Sequence, residues 1–254
     1  MGGAGQEVQI WYSENPKGIP ETMAYLTGGE RARYVQGMFA HIARRYDLMN
    51  RLMTAGQDVR WRREVIRRAE LPASGRLLDL GAGTGDLARE ALRQVPKSLP
   101  VAADFTMEMM RVGKTRPNMG LEWAAADALC LPFPDGSFDA VVSGFLLRNV
   151  SDILQSLNEQ RRVLKPGGRI IALDTTQPPK NPLAPLIKLH LHTVIPTLGR
   201  LIAGSAEAYR YLPETTENFL SAEGLAERMQ TAGFQGVGFR RLMFGTVAIH
   251  WGFK

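Results

Sequence analysis

The sequence predicts an α/β fold: a mostly parallel, Rossmann-like sheet with helices on both faces and further helices at the N-terminus. Three observations carry this. Short apolar runs alternate with helical stretches from residue 76 to residue 174. One run, RLLDL at Arg76–Leu80, passes straight into a Gly-x-Gly-x-Gly loop and a helix start. A second run, PVAAD at Pro100–Asp104, ends in a carboxylate 19 residues beyond Gly85. An acid about 20 residues past such a loop is where a ribose diol is gripped.

Residues 1–32 are rich in glycine and contain Pro16 and Pro20, which predicts an irregular extension. From about Ala32 to Ala69 the apolar spacing is helical, with a turn near Ala55–Gly56; Pro72 and Gly75 close the segment. Strands are expected at 76–80, 99–104, 121–126, 138–144 and 169–174, and helices at 85–95, 106–115 and 150–164. KPGG at Lys165–Gly168 stops the last of these helices and turns into the fifth strand. Residues 175–213 hold six prolines and a long apolar stretch, an insertion expected to cover the substrate site. A helix at 222–232 and an antiparallel hairpin at 235–242 and 245–252 complete the single domain expected over 33–254.

In open α/β sheets the ligand lies at the carboxyl ends of the strands. The residues there are Gly81–Gly85, Asp104–Phe105, Asp127–Ala128 and Gly144–Asn149. Gly81, Gly83 and Gly85 allow a tight turn and a close approach to main-chain amides, and the following helix aims its N-terminus at the same space. Two ligands suit that loop, a dinucleotide and S-adenosylmethionine. The dinucleotide form needs its third glycine at position 86, where Asp86 stands. Adenosylmethionine is cationic at its sulfonium and its α-amino group, so Asp79 and Asp104 suit it, whereas a pyrophosphate would be repelled. Adenosylmethionine is therefore the expected cofactor; a loop that merely packs strand on helix is the plain alternative. Asp127 followed by the small Ala128 suits the adenine amino group and ring edge.

The bulk numbers narrow the classes. At 254 residues the chain can bury a full core. Its one cysteine, Cys130, excludes a disulfide framework and a cysteine-built metal site, and no metal is expected. The N-terminus lacks the pattern of a signal peptide, and no apolar run reaches the roughly 18 residues of a membrane span. Net charge is +6, and between Arg31 and Arg68 ten arginines face three acids. A solvated helix face is the bland reading; an anionic membrane surface is the sharper one. No nucleic-acid module is present, so no nucleic-acid partner is expected. The expected location is cytoplasmic, peripheral to the inner face of the membrane. A homodimer is left open.

RYDLMNRLMTAGQDVRWRR, LLDLGAGTGD, LPFPDGSFDAVVSGFLLRNVSD, RVLKPGGRIIALD, AYRYLPET and VAIHWGFK occur in the order and spacing of one family. The chain resembles the ubiquinone/menaquinone biosynthesis C-methyltransferases, of the UbiE/MenG type, from about residue 33 to residue 254. The resemblance implies a class I adenosylmethionine-dependent methyltransferase fold, with a seven-stranded sheet whose last strand is antiparallel. It implies methyl transfer to a ring carbon of a polyprenylated quinol. It places cofactor contacts on Thr84, Asp104, Asp127 and Ala128. The family often has Ser where Gly144 stands and Gly where Leu146 stands, so the substrate pocket departs from the pattern there.

An aromatic carbon becomes a good nucleophile when a neighbouring hydroxyl ionises. A phenol has an ordinary pKa near 10, so the site must favour the phenolate, and a nearby cation does that. Arg148 is the expected cation, and Asn149 beside it holds a hydroxyl or a water. The reduced quinol is then the substrate, because the oxidised ring has no hydroxyl to ionise. Tyr46 and Asp47 belong to the N-terminal helices, which close over the cofactor, and Tyr46 is expected to touch it. Tyr209, Arg210 and Tyr211 are expected to line the substrate side or brace the insertion. His190, His192 and His250 are read as structural.

Overall fold

The run RLLDL forms β1 (Arg76–Leu80), and its apolar character on both faces puts it inside a seven-stranded sheet. The computed structural model describes residues 28–43, 45–117, 120–177, 193, 197, 215, 216 and 218–254. The other strands are β2 (Leu99–Asp104), β3 (Glu122–Ala125), β4 (Phe138–Gly144), β5 (Leu164–Thr175), β6 (Gln235–Leu242) and β7 (Val247–Phe253). Their order is β3-β2-β1-β4-β5-β7-β6. All pairings from β3 to β5 are parallel, and β7 runs antiparallel to both β5 and β6. The expected seven strands and the reversed last strand are both present. The chain winds outward from β1 through β2 and β3, then returns to add β4 on the other side. That reversal opens a crevice at the carboxyl ends of β1 and β4.

Alternation along β1 feeds two core layers. Leu78 and Leu80 belong to the buried layer that also holds Leu157 of α6 (Ile153–Val163) and Leu225 and Met229 of α7 (Ala222–Thr231). Leu77 packs with Trp61 and Ile66 of α3 (Asp58–Ala69) and with Leu87 of α4 (Asp86–Gln94). Asp79 points to this second layer, where its Oδ2 accepts the Ala88 N–H of α4 at 2.9 Å. His250, on β7, is buried and bonded to the Ala222 carbonyl at 2.9 Å, tying α7 to the sheet.

Local chemistry sets the element ends. Gly85 precedes α4 at φ +83°, a conformation glycine takes at least cost. Asp152 caps α6 by accepting the Gln155 N–H at 2.9 Å, and Ser221 caps α7 through the Gly224 N–H at 3.1 Å. The helix expected over 150–164 therefore begins after Asp152, preceded by a 3₁₀ turn at Leu147–Asn149. The N-terminal helices are α1 (Gly28–Ile42), α2 (Tyr46–Met53) and α3, with the expected turn at Ala55–Gly56. α1 starts inside the stretch expected to be irregular, because Glu30, Arg31 and Arg33 are good helix formers. β5 begins earlier than expected: Leu164 pairs with Phe138, KPGG bulges out, and pairing resumes at Arg169.

α5 (Met107–Lys114) presses Gly113 onto the glycine loop. A Cβ on Gly113 would lie 2.8 Å from the Thr84 carbonyl oxygen and would also meet the Trp123 ring. Arg89 bridges the same two segments, donating to the Thr84 carbonyl at 2.5 Å and the Gly113 carbonyl at 2.6 Å. Gly to Ala in an open helix stabilises by about 0.5–1 kcal/mol. Here Gly113→Ala is expected to cost about 1–3 kcal/mol through overpacking. A lower urea midpoint checks this; a higher one would mean that α5 stands off the loop.

Candidate active site

A single cavity occupies the crevice and gathers the residues just past β1, β2, β3 and β4. Gly81, Gly83 and Thr84 form one wall; Asp104, Phe105, Asp127 and Ala128 form the next. Gly144 and Asn149 stand at the β4 side, and Tyr46 reaches in from α2. Two expected residues lie off the lining. Gly85 turns away into the α4 cap, where a Cβ would meet Trp123 at 2.8 Å. Arg148 is buried behind the wall, its side chain 4% exposed, in an ion pair with Asp174 at 3.0 Å. The expected direct cation at the substrate oxygen is thus engaged by a carboxylate from β5. Tyr209, Arg210, Tyr211, His190, His192 and most of the 175–213 insertion lie outside the described residues.

Asp104 holds two loops at once. Its Oδ2 accepts the Gly83 N–H at 2.6 Å and its Oδ1 accepts the Thr106 N–H at 2.7 Å. Burial pushes its pKa up, against the pull of those amides. Asp127 folds back on its own turn, accepting the Leu129 N–H at 2.9 Å. Asn149 donates to the Phe145 carbonyl at 2.8 Å. Phe145 sits in the left-handed region at φ +61°, unusual for a bulky residue, and is clamped by its N–H to the Leu173 carbonyl at 2.7 Å. Leu146 lies on the glycine loop: its Cδ1 is 2.8 Å from where a Cβ on Gly81 would be.

The N-terminal helices reach the loop through charges. Thr84 Oγ1 donates to Asp47 Oδ1 at 3.0 Å, and Asp47 pairs with Arg116. Arg116 also pairs with Asp86 at 3.0 Å, and Arg62 joins Asp86 at 3.1 Å to Asp58 at 2.6 Å. Arg62–Asp58 is a local i,i+4 pair, but Arg62–Asp86, Arg116–Asp47, Arg116–Asp86 and Arg148–Asp174 join residues 24 to 69 apart in sequence, and no local motif announces them.

Among the described residues lining the cavity, five are aspartates and one, Arg62, is basic. That balance suits a cation and opposes a pyrophosphate. Asp79 is the most buried of them. It is fully buried, its Oδ1 has no hydrogen-bond partner, and burial pushes its pKa up to about 7, against the Ala88 amide. A cationic ligand favours the ionised form, so cofactor affinity is expected to rise with pH through about 7. Stability of the ligand-free chain runs the other way. The folded pKa lies above the ordinary 3.8, so Asp79's contribution is complete below that value and is lost as pH rises through about 7. Titrations and thermal melts across pH 5–8 check both slopes; flat affinity in that window would remove Asp79 from the ligand.

A profile described as the ubiE/COQ5 methyltransferase family matches residues 27–254. The chain belongs to this family. As a ubiE/COQ5-type methyltransferase it uses S-adenosylmethionine, which fits the glycine loop and the acid-lined cavity. The chain is 48% identical over 221 residues to "Ubiquinone/menaquinone biosynthesis C-methyltransferase UbiE" of Desulfotalea psychrophila, covering 87% of this chain and 90% of that one. It is 45% identical over 218 residues to "Demethylmenaquinone methyltransferase" of Thermus thermophilus, covering 85% and 99%. Among solved structures, the fold resembles the [4+2]-cyclase SpnF, with TM-score 0.63 and 17% identity over 87% of this chain and 94% of that one. It also resembles a SAM-dependent methyltransferase from Aquifex aeolicus, with TM-score 0.54 and 20% identity over 76% and 88%. At such identities the likeness concerns the fold alone.

Proposed function

We propose that this methyltransferase carries the methyl group of adenosylmethionine to a ring carbon of a reduced polyprenyl quinol, demethylmenaquinol or the related benzoquinol. The carrying observation is the continuity of the cavity. It runs from the ribose-side Asp104 to Asn149, Val150 and Leu173, so a ring at the β4 end would face the methyl group of a cofactor in the loop. The names borne by the two relatives agree with that acceptor. Glycine loop contacts, Asp104 for the ribose and Asp127 with Ala128 for the adenine make up the cofactor half.

Asn149 is the residue proposed to meet the ring hydroxyl or its water. Arg148 is proposed to position it: the buried pair with Asp174 fixes the 147–149 turn and keeps a guanidinium behind the developing phenolate.

Peripheral membrane attachment is part of the reading. α2 turns Tyr46 and Asn50 to the cavity and leaves Leu48 and Leu52 exposed, 54% and 42%, beside Arg51. Phe105 and Met107 are exposed beyond the end of β2. Apolar side chains flanked by arginines fit an anionic lipid surface, where a long isoprenoid tail would remain. Among the described residues no helix is long and apolar enough to cross a membrane.

The test is label transfer from adenosylmethionine to demethylmenaquinol and demethylated benzoquinol, each reduced and oxidised, presented in anionic vesicles. Labelled product from a reduced ring alone supports the reading. Transfer only to a tail-less phenol would favour another aromatic acceptor, a possibility that Leu146, pressed onto Gly81, makes specific.

A further inference from the structure

Two buried side-chain atoms of the cavity-lining residues have no hydrogen-bond partner among the described residues: Asp79 Oδ1 and Asn50 Nδ2. One is an acceptor and the other a donor. Buried polar atoms are normally paired, and leaving one unpaired costs about 1–3 kcal/mol. An unpaired atom on a residue that lines a cavity points to what a ligand can supply. Asp79 asks for a cation. Asn50 Nδ2 cannot serve a cation; its N–H asks for an oxygen acceptor.

Asn50 lies one helical turn beyond Tyr46 on α2, and both line the cavity. It is 8% exposed. Of the neighbouring donors, Thr84 Oγ1 is taken by Asp47, and Arg62 Nη1 is held between Asp58 and Asp86. The amino-acid end of adenosylmethionine carries an ammonium and a carboxylate on one carbon. We propose that Asn50 recognises the cofactor's α-carboxylate by donating its amide N–H, opposite Asp79 at the ammonium. α2 and β1 then read the two charges of the amino-acid end, while the loops after β2 and β3 read the nucleoside. This rests on the adenosylmethionine reading of the cavity.

The experiment is calorimetric titration of the full chain with S-adenosylhomocysteine and with 5′-methylthioadenosine. The second ligand keeps the nucleoside and sulfur and lacks the amino-acid end. Asn50→Ala is expected to weaken adenosylhomocysteine roughly 10–100-fold, the worth of a hydrogen bond to a charged group. Methylthioadenosine is expected to bind within about twofold of wild type, which also reports an intact fold. Asn50→Asp keeps the size and sets carboxylate against carboxylate, so its loss on adenosylhomocysteine should be larger still, again with methylthioadenosine spared. Equal losses on both ligands in Asn50→Asp, or none on either, would overturn the assignment. A wild-type chain that binds neither ligand would sink the cofactor reading and the assignment with it, before any variant is made.

Discussion

Asp104→Ala is expected to weaken adenosylmethionine binding by about 100-fold or more while the chain still folds. The side chain does two things. Its oxygens accept the Gly83 and Thr106 amides at 2.6 and 2.7 Å, holding the loops after β1 and β2 in one arrangement. It is also the residue proposed to meet the ribose diol. Hydrogen bonds to a charged acceptor contribute about 1.5–3 kcal/mol each, and both amides would lose theirs together with the ligand's own contact. Asp104→Asn keeps the shape but sets an amide N–H₂ against one of the two donors, so an intermediate loss is expected. Calorimetric titration decides it: wild-type affinity in Asp104→Ala would take this residue out of the cofactor site.

Arg148→Met is expected to lower stability by about 3–5 kcal/mol, the usual cost of leaving a buried ion without its partner. The two side chains are 4% and 2% exposed and meet at 3.0 Å, and the Arg148 N–H reaches the other Asp174 oxygen at 3.3 Å. Replacing both, as Arg148→Met with Asp174→Leu, should return most of the lost stability, because neither charge is then stranded. Turnover should not return, since the turn bearing Asn149 has lost its anchor. Thermal melts and single-turnover rates on both variants separate the two effects. A double variant as active as wild type would leave the pair a matter of stability alone.

The sheet was legible because its signals are local. RLLDL before the glycines and PVAAD before Phe105 each act within a few residues. The end of β5 nearest KPGG was less so, because Leu164 joins the sheet only through its long-range pairing with Phe138. The lining of the cavity was legible for the same reason: Gly81, Gly83, Asp104, Asp127 and Ala128 follow closely on strand ends. The substrate side was not. Nothing near LRNV says that Arg148 faces Asp174, 26 residues on, or that Phe145 takes a left-handed turn to hold Asn149. Asn50 reads in sequence as one polar residue of an amphipathic helix, and its unpaired amide shows only once α2 lies over the cavity.

The join between α2 and the glycine loop is ionic: Thr84 to Asp47, Asp47 to Arg116, and Arg116 to Asp86. The arginine is one-third exposed, and the two aspartates are partly so. Contacts of this kind are individually weak and are screened by salt. α2 is also held by its buried Met49 and Met53, but the charged contacts are the ones that salt loosens. A methyltransferase must discharge its demethylated cofactor after every cycle; if α2 lifts for that step, release of the spent nucleoside is expected to quicken as ionic strength rises, and release rates at low and high salt check it.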